Sequence, residues 1–154
     1  MLAVSLIIQF IRPEKNISDS LSANDISTQY DVPENVKSIL TKACADCHSN
    51  NTVYPWYSNF QPIAWILEHH VVDGKMHFNL SEFASYEAWK SHHKLEELEE
   101  EIEKRKMPLD EYVLIHKEAD LTAEEKATLI SWSKGIRDQM ASDSTLDLAM
   151  PKRK

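Results

Sequence analysis

From Pro33 onward the chain reads as a short amphipathic helix that ends in Cys44-Ala45-Asp46-Cys47-His48, and that end constrains the fold more than any other feature. Val36, Ile39, Leu40, Ala43 and Cys47 recur at helical spacing, so one face is apolar. Pro33 suits the first helical position, and Glu34 places a negative charge in the first turn, where the helix dipole favours it. The chain has no cysteines other than these two. Whatever they and His48 bind, the rest of the domain has to be arranged around it.

The remaining pattern is helical. Only two glycines occur in 154 residues, which disfavours a turn-rich β fold. Asn50-Asn51, Pro55 and Pro62 mark 49–62 as an irregular loop rich in aromatics. A second helix is predicted over 61–72, with Ile63, Ile66, Leu67 and His70 on one face and Gly74 closing it. Residues 81–106 are read as mostly helical with a break near Ser85. Leu95, Leu98 and Ile102 form a narrow stripe there, and the glutamates and lysines around it read as a solvated face. Pro108 ends that helix, and 107–120 is expected to be loop. Thr122 and Glu125 form a capping box opening a last helix, with Leu129, Trp132, Ile136 and Met140 on one side. With no repeat and no convincing strand, the expected class is all-α.

The domain plan has four parts. Met1 to Ile11 is apolar but too short for the ~20 residues of a spanning helix, and is read as the remnant of an export signal or membrane anchor. Residues 12–31 are polar and read as a linker or loosely packed extension, 32–141 as the domain, and 142–154 as a tail. The net charge is −8, concentrated between Glu96 and Glu103, which excludes duplex nucleic acid as a partner because phosphate binding needs a basic face.

Two cysteines three apart at a helix end can reach two neighbouring vinyl groups of one porphyrin, with the adjacent histidine beneath the iron. C-x-x-C-H therefore reads as a c-type haem attachment site on Cys44, Cys47 and His48. A structural zinc needs four converging ligands, and neither His69/His70 nor His92/His93 follows at finger spacing. A thioredoxin-like dithiol needs a βαβ context, and a plain disulfide leaves His48 unexplained. Trp56, Tyr57, Phe60 and Trp65 follow the motif and are candidates to pack on a macrocycle, which would serve as part of the core.

A sixth iron ligand is sought next. Met107 lies before Pro108, outside helical geometry and 59 residues after His48, so its thioether can project from a loop. Met140 belongs to the last helix's apolar stripe, and Met76 lies too near Gly74 to be placed. Histidines 69, 70, 77, 92 and 93 remain alternatives, since bis-histidine ligation is equally stable chemistry.

The stretches "CADCHSNNTVYPWYSNFQPIAWILEHHVVDGKMHFNLSEF" and "KLEELEEEIEKRKMPLDEYVLIHKEADLTAEEKATLISW", with the entry "FIRPEKN", resemble the small bacterial haem-binding domain family, relatives of class I cytochrome c. The resemblance covers roughly residues 10 to 135. It implies haem c attached covalently to Cys44 and Cys47, His48 as proximal ligand, the methionine of "KMPL" (Met107) as distal ligand, and an exported or membrane-tethered protein. A longer hydrophobic signal or anchor would be expected before "QFIRP".

The resulting expectation is a cytochrome c-like helical fold around one haem. Its function would be to carry single electrons between redox protein partners in the periplasm, free or on an N-terminal tether, without being an enzyme. Two other readings stay open. One is an open-site gas sensor or peroxidase-like protein with His70 or His93 on the distal side; the other is a zinc-stapled interaction module. The acidic stretch 96–103 is either a docking face for a basic partner or simply solvated.

Overall fold

The computed structural model describes residues 6–151. Among them there is no strand, and the fold is all-helical. From residue 12 on, the described residues form these α-helices in order: α1 (Glu34–Ala43), α2 (Ala45–His48), α3 (Ile63–His77), α4 (Ala88–Glu103), α5 (Asp110–Ile115) and α6 (Ala123–Ser142). Short 3-10 turns at Ile8–Phe10, Ile26–Thr28, Trp56–Asn59, Leu80–Ser85 and Lys117–Ala119 fill the connections. Residues 1–5 of the expected 1–11 remnant lie outside the described residues, as do residues 152–154 of the tail. Among the described residues no helix is long and apolar enough to cross a membrane.

The core sits where α4 and α6 pack along each other and α1 closes over them. Leu95 and Ile102 of α4 meet Leu129, Ile136 and Met140 of α6, with Val36, Ile39 and Leu40 from α1. Phe78, Leu80 and Phe83, from the segment after α3, complete it, and Phe83 is fully buried. The capping box forms as expected: the Thr122 hydroxyl accepts from Glu125 N–H at 3.2 Å and the Glu125 carboxylate accepts from Thr122 N–H at 2.9 Å.

Several expectations are corrected. The helix expected over 33–47 is two helices, because Cys44 leaves helical geometry at φ −128° and separates α1 from α2. Gly74 does not close the second helix; α3 runs on to His77. The expected break near Ser85 is present, as the gap between the 3-10 turn and α4. Residues 107–120 are not all loop, since Asp110–Ile115 forms α5. Nor is the acidic face wholly solvated: Glu99 is buried, accepts from Ser133 Oγ at 2.9 Å and from Arg137 Nη1 at 2.9 Å, and Arg137 Nη2 reaches Glu96 at 2.8 Å.

Residues 12–31 pack on the domain. Ile26 and Tyr30 are buried in the core. Asn16 stitches the extension to the loop after the motif, donating through Nδ2 to Ser49 O and Thr52 Oγ1, both at 2.9 Å, and through its backbone N–H to Tyr54 OH at 2.8 Å. Farther upstream, the Gln9 side chain accepts from Gln61 N–H at 3.0 Å and donates to Gln61 O at 3.3 Å.

Candidate functional site

The motif runs from Cys44, the cap between α1 and α2, through α2, one turn of helix packed against α3. Two interactions fix it there. Gly74 of α3 faces Cys47, so that a Cβ on Gly74 would lie 2.5 Å from the Cys47 carbonyl oxygen. The absence of a side chain at Gly74 is what lets α3 approach the motif backbone, and this explains a glycine in mid-helix. The second interaction is a hydrogen bond from His48 Nδ1 to the carbonyl of Phe78 at 2.8 Å.

The His48 contact has chemical content. A carbonyl only accepts, so the proton sits on Nδ1, and Nε2 keeps the lone pair that a metal ligand needs. Burial holds the imidazole below its ordinary value of 6.5, against the pull of the Phe78 and Gly74 carbonyls, so the ring is neutral at physiological pH. Both cysteines are free thiols. Burial pushes Cys44 up to about 12 and Cys47 up to about 11, with the neighbouring Cys47 and Asp46 adding to the respective shifts. Redox-active dithiols lower the pKa of one thiol, so the shifts run opposite to the thioredoxin-like alternative. Among the described residues no group of three or more His, Cys, Asp or Glu side chains is placed to hold a metal ion, so the zinc alternative finds no converging ligand set there. Two thiols three residues apart, at the cap and within the turn of α2, beside an oriented neutral imidazole are instead the donor set a haem takes.

The other sequence candidates are dispersed. Met107 is half-buried in the turn after α4, where Arg105 takes a positive φ of 56° and Met107 N–H donates to Glu101 O at 3.2 Å. Met140 is buried in the core at 2 % exposure, whereas Met76 is 68 % exposed on α3. His69 faces Asp73 on the outside of α3, and His93 faces Glu96 and Glu97 on α4. Of the aromatics expected to pack on a ring, Trp56 and Phe60 are exposed and touch each other at 6.0 Å between centroids. Tyr57 instead shares a hydrogen bond with His116 Nε2 at 2.7 Å.

Several residues of the site escaped the sequence reading. Asp46, inside the motif, accepts from Tyr112 OH at 2.7 Å through Oδ2 and from Val53 N–H at 2.9 Å through Oδ1. Its backbone carbonyl takes the Thr52 hydroxyl at 2.6 Å. His116 stacks on Tyr112, with centroids 4.4 Å apart and planes 16° off parallel. Glu82 gathers Asn24, Asn50 and Ser22, tying the extension and the post-motif loop together behind His48. The only sequence signal for Asp46 is its place between the cysteines.

A small all-helical domain that presents a C-x-x-C-H turn with its imidazole oriented from behind is a haem-binding class of protein by its donor set. The family model described as a haem-binding domain matches residues 3–135, and the chain belongs to that family. No curated protein and no solved structure matches it.

Proposed function

We propose that the protein is an extracytoplasmic c-type cytochrome that passes single electrons between redox partner proteins and is not an enzyme. In this reading Cys44 and Cys47 hold the haem c through thioethers, His48 Nε2 binds the iron, and Met107 takes the opposite position. The observation that carries it is the His48 Nδ1–Phe78 carbonyl bond on a C-x-x-C-H turn, which orients the ring as a ligand in a chain of the haem-binding family. The bound haem would supply a one-electron iron couple, and thioether ligation raises its potential while closing the sixth position to substrates. The chain's own contribution is to orient His48, keep it neutral, and offer Met107 from the turn behind α4. Leu6, Ile7, Phe10 and Ile11 are exposed, which suits an N-terminal membrane tether facing the periplasm. The exposed glutamates of α4 offer a basic redox partner a docking face.

The test is made on protein matured in an exporting host. Haem should remain with the polypeptide through denaturation and acid-acetone extraction, and Cys44→Ala or Cys47→Ala should leave at most one thioether by intact mass. Met107→Ala should lower the potential, remove the weak long-wavelength ferric band of sulfur ligation, and create carbon monoxide binding in the reduced state. Met76→Ala and Met140→Ala should leave the spectrum unchanged. Haem that extracts freely overturns covalent attachment, and a wild type that already binds carbon monoxide readily overturns the carrier role.

A further inference from the structure

We infer that Tyr112 and Asp46 form a clasp that positions the Met107 segment over the motif, so that Tyr112 governs whether the methionine holds its place. The inference rests on the reading of Met107 as the sixth ligand, and adds to it the residues that would keep it there.

The geometry is that of a strap fixed at both ends. Upstream, the Met107 backbone is bonded to Glu101 at the end of α4, which the core holds through Leu95 and Ile102. Downstream, α5 begins three residues after Met107 and is tied to the body by Tyr112 OH, which donates to Asp46 Oδ2 at 2.7 Å across 66 residues of sequence. The outer residues of α5, Leu114 and Ile115, are 69 % and 61 % exposed, while Tyr112 and Val113 pack against the core. Tyr112 lies five positions after Met107, a reach of at most about 17 Å when fully extended, and the first turn of α5 shortens it. Asp46 lies two residues before His48. Closing the bond therefore ties the segment that follows Met107 to the motif turn and limits how far the methionine can swing away from the position opposite His48.

Asp46 is suited to be the fixed half. Its second oxygen accepts from Val53 N–H at 2.9 Å and its carbonyl from Thr52, so the carboxylate cannot follow Tyr112 outward. A phenol donating to a carboxylate makes one of the stronger hydrogen bonds available to a protein. Burial, and then Asp46 itself, push the Tyr112 hydroxyl far above its ordinary value, so it stays a donor at every physiological pH. The ring of His116 stacks on Tyr112 and is held in turn by Tyr57, which keeps the phenol aimed.

The experiment uses haem-loaded full-length protein and added imidazole, which competes with a methionine for ferric iron. Tyr112→Phe keeps the ring and its stack but loses the donor. It should raise imidazole affinity about tenfold, the worth of one charge-assisted hydrogen bond, and weaken the long-wavelength ferric band. Asp46→Asn should act in the same direction, and the double variant should be no worse than the worse single one, as expected for two residues acting through their mutual bond. Backbone amides of 107–116 should exchange faster in Tyr112→Phe, a readout independent of the haem spectrum. If Tyr112→Phe leaves imidazole affinity and exchange unchanged while Met107→Ala raises the affinity, the clasp is wrong and Met107 remains the ligand. If the wild type binds imidazole as readily as Met107→Ala, the ligand assignment fails and the positioning role fails with it.

Discussion

The glycine at 74 offers a test with a built-in control, because the chain's two glycines both lie inside helices and differ only in what faces them. In a helix interior alanine is favoured over glycine by about 1 kcal/mol. At Gly135, exposed on α6 with nothing within 4 Å of a Cβ, that gain should be realised in full. At Gly74 the added carbon would sit 2.5 Å from Cys47 O and 2.9 Å from Cys47 Cβ, well inside the ~3.3–3.6 Å at which carbon and oxygen ordinarily meet. The atoms in the way are the Cys47 carbonyl and its Cβ, whose place the backbone fixes, so neither can rotate aside and α2 must move relative to α3. Overpacking of this kind costs about 1–3 kcal/mol. Against the propensity gain, Gly74→Ala should come out destabilising by up to about 2 kcal/mol. For a domain of this size that is a loss of roughly 4–8 °C in Tm, while Gly135→Ala should gain roughly 2–4 °C. Thermal unfolding of the haem-loaded protein by circular dichroism reads both. Displacing α2 should also loosen His48 from Phe78 and broaden the haem spectrum in Gly74→Ala alone. If both variants gain stability equally, the close approach at Cys47 does not constrain the motif.

Two further outcomes follow from charged groups. Asn24, Asn50 and Ser22 hold the Glu82 carboxyl below its ordinary value of 4.5, Asn24 contributing most, so Glu82 favours the folded state when ionised. That stabilisation is full above the unfolded-state value and is lost as pH falls through the lowered folded one. Hydrogen exchange should therefore show the 16–30 extension and the 49–52 loop loosening as pH falls below the ordinary carboxylate value, and Glu82→Gln should flatten that dependence in the same acidic range. Arg137→Leu should cost about 3–5 kcal/mol in denaturant unfolding, because it strands the buried Glu99 carboxylate with only Ser133 to bond it; a loss under 1 kcal/mol would mean that Glu99 reaches water.

How far the sequence could be read depended on the range over which each feature is determined. The capping box at Thr122 and Glu125 is closed by groups three residues apart, so its residue types alone announce it. The stripes Leu95/Ile102 and Leu129/Ile136/Met140 follow from the helical period, and both are buried as that period requires. Gly74 misled because glycine is the usual residue just past a helix end. What kept it here is a contact with Cys47, 27 residues earlier, which no local pattern encodes. Glu99 sits in a run of glutamates and looks solvated, until Ser133 and Arg137 of α6 arrive to satisfy it. The motif divides the same way. Its residue types announce the donor set, but the partner that orients His48 is a backbone carbonyl, and every residue has one, so Phe78 could not have been singled out. The Tyr112–Asp46 bond is hidden twice over, once by 66 residues of separation and once because Asp46 occupies a position the motif leaves unspecified. The residue types of the motif are therefore local and legible in this chain. The bonds that aim His48 and tie Asp46 come from elsewhere in the chain, and they become visible only when the helices are assembled.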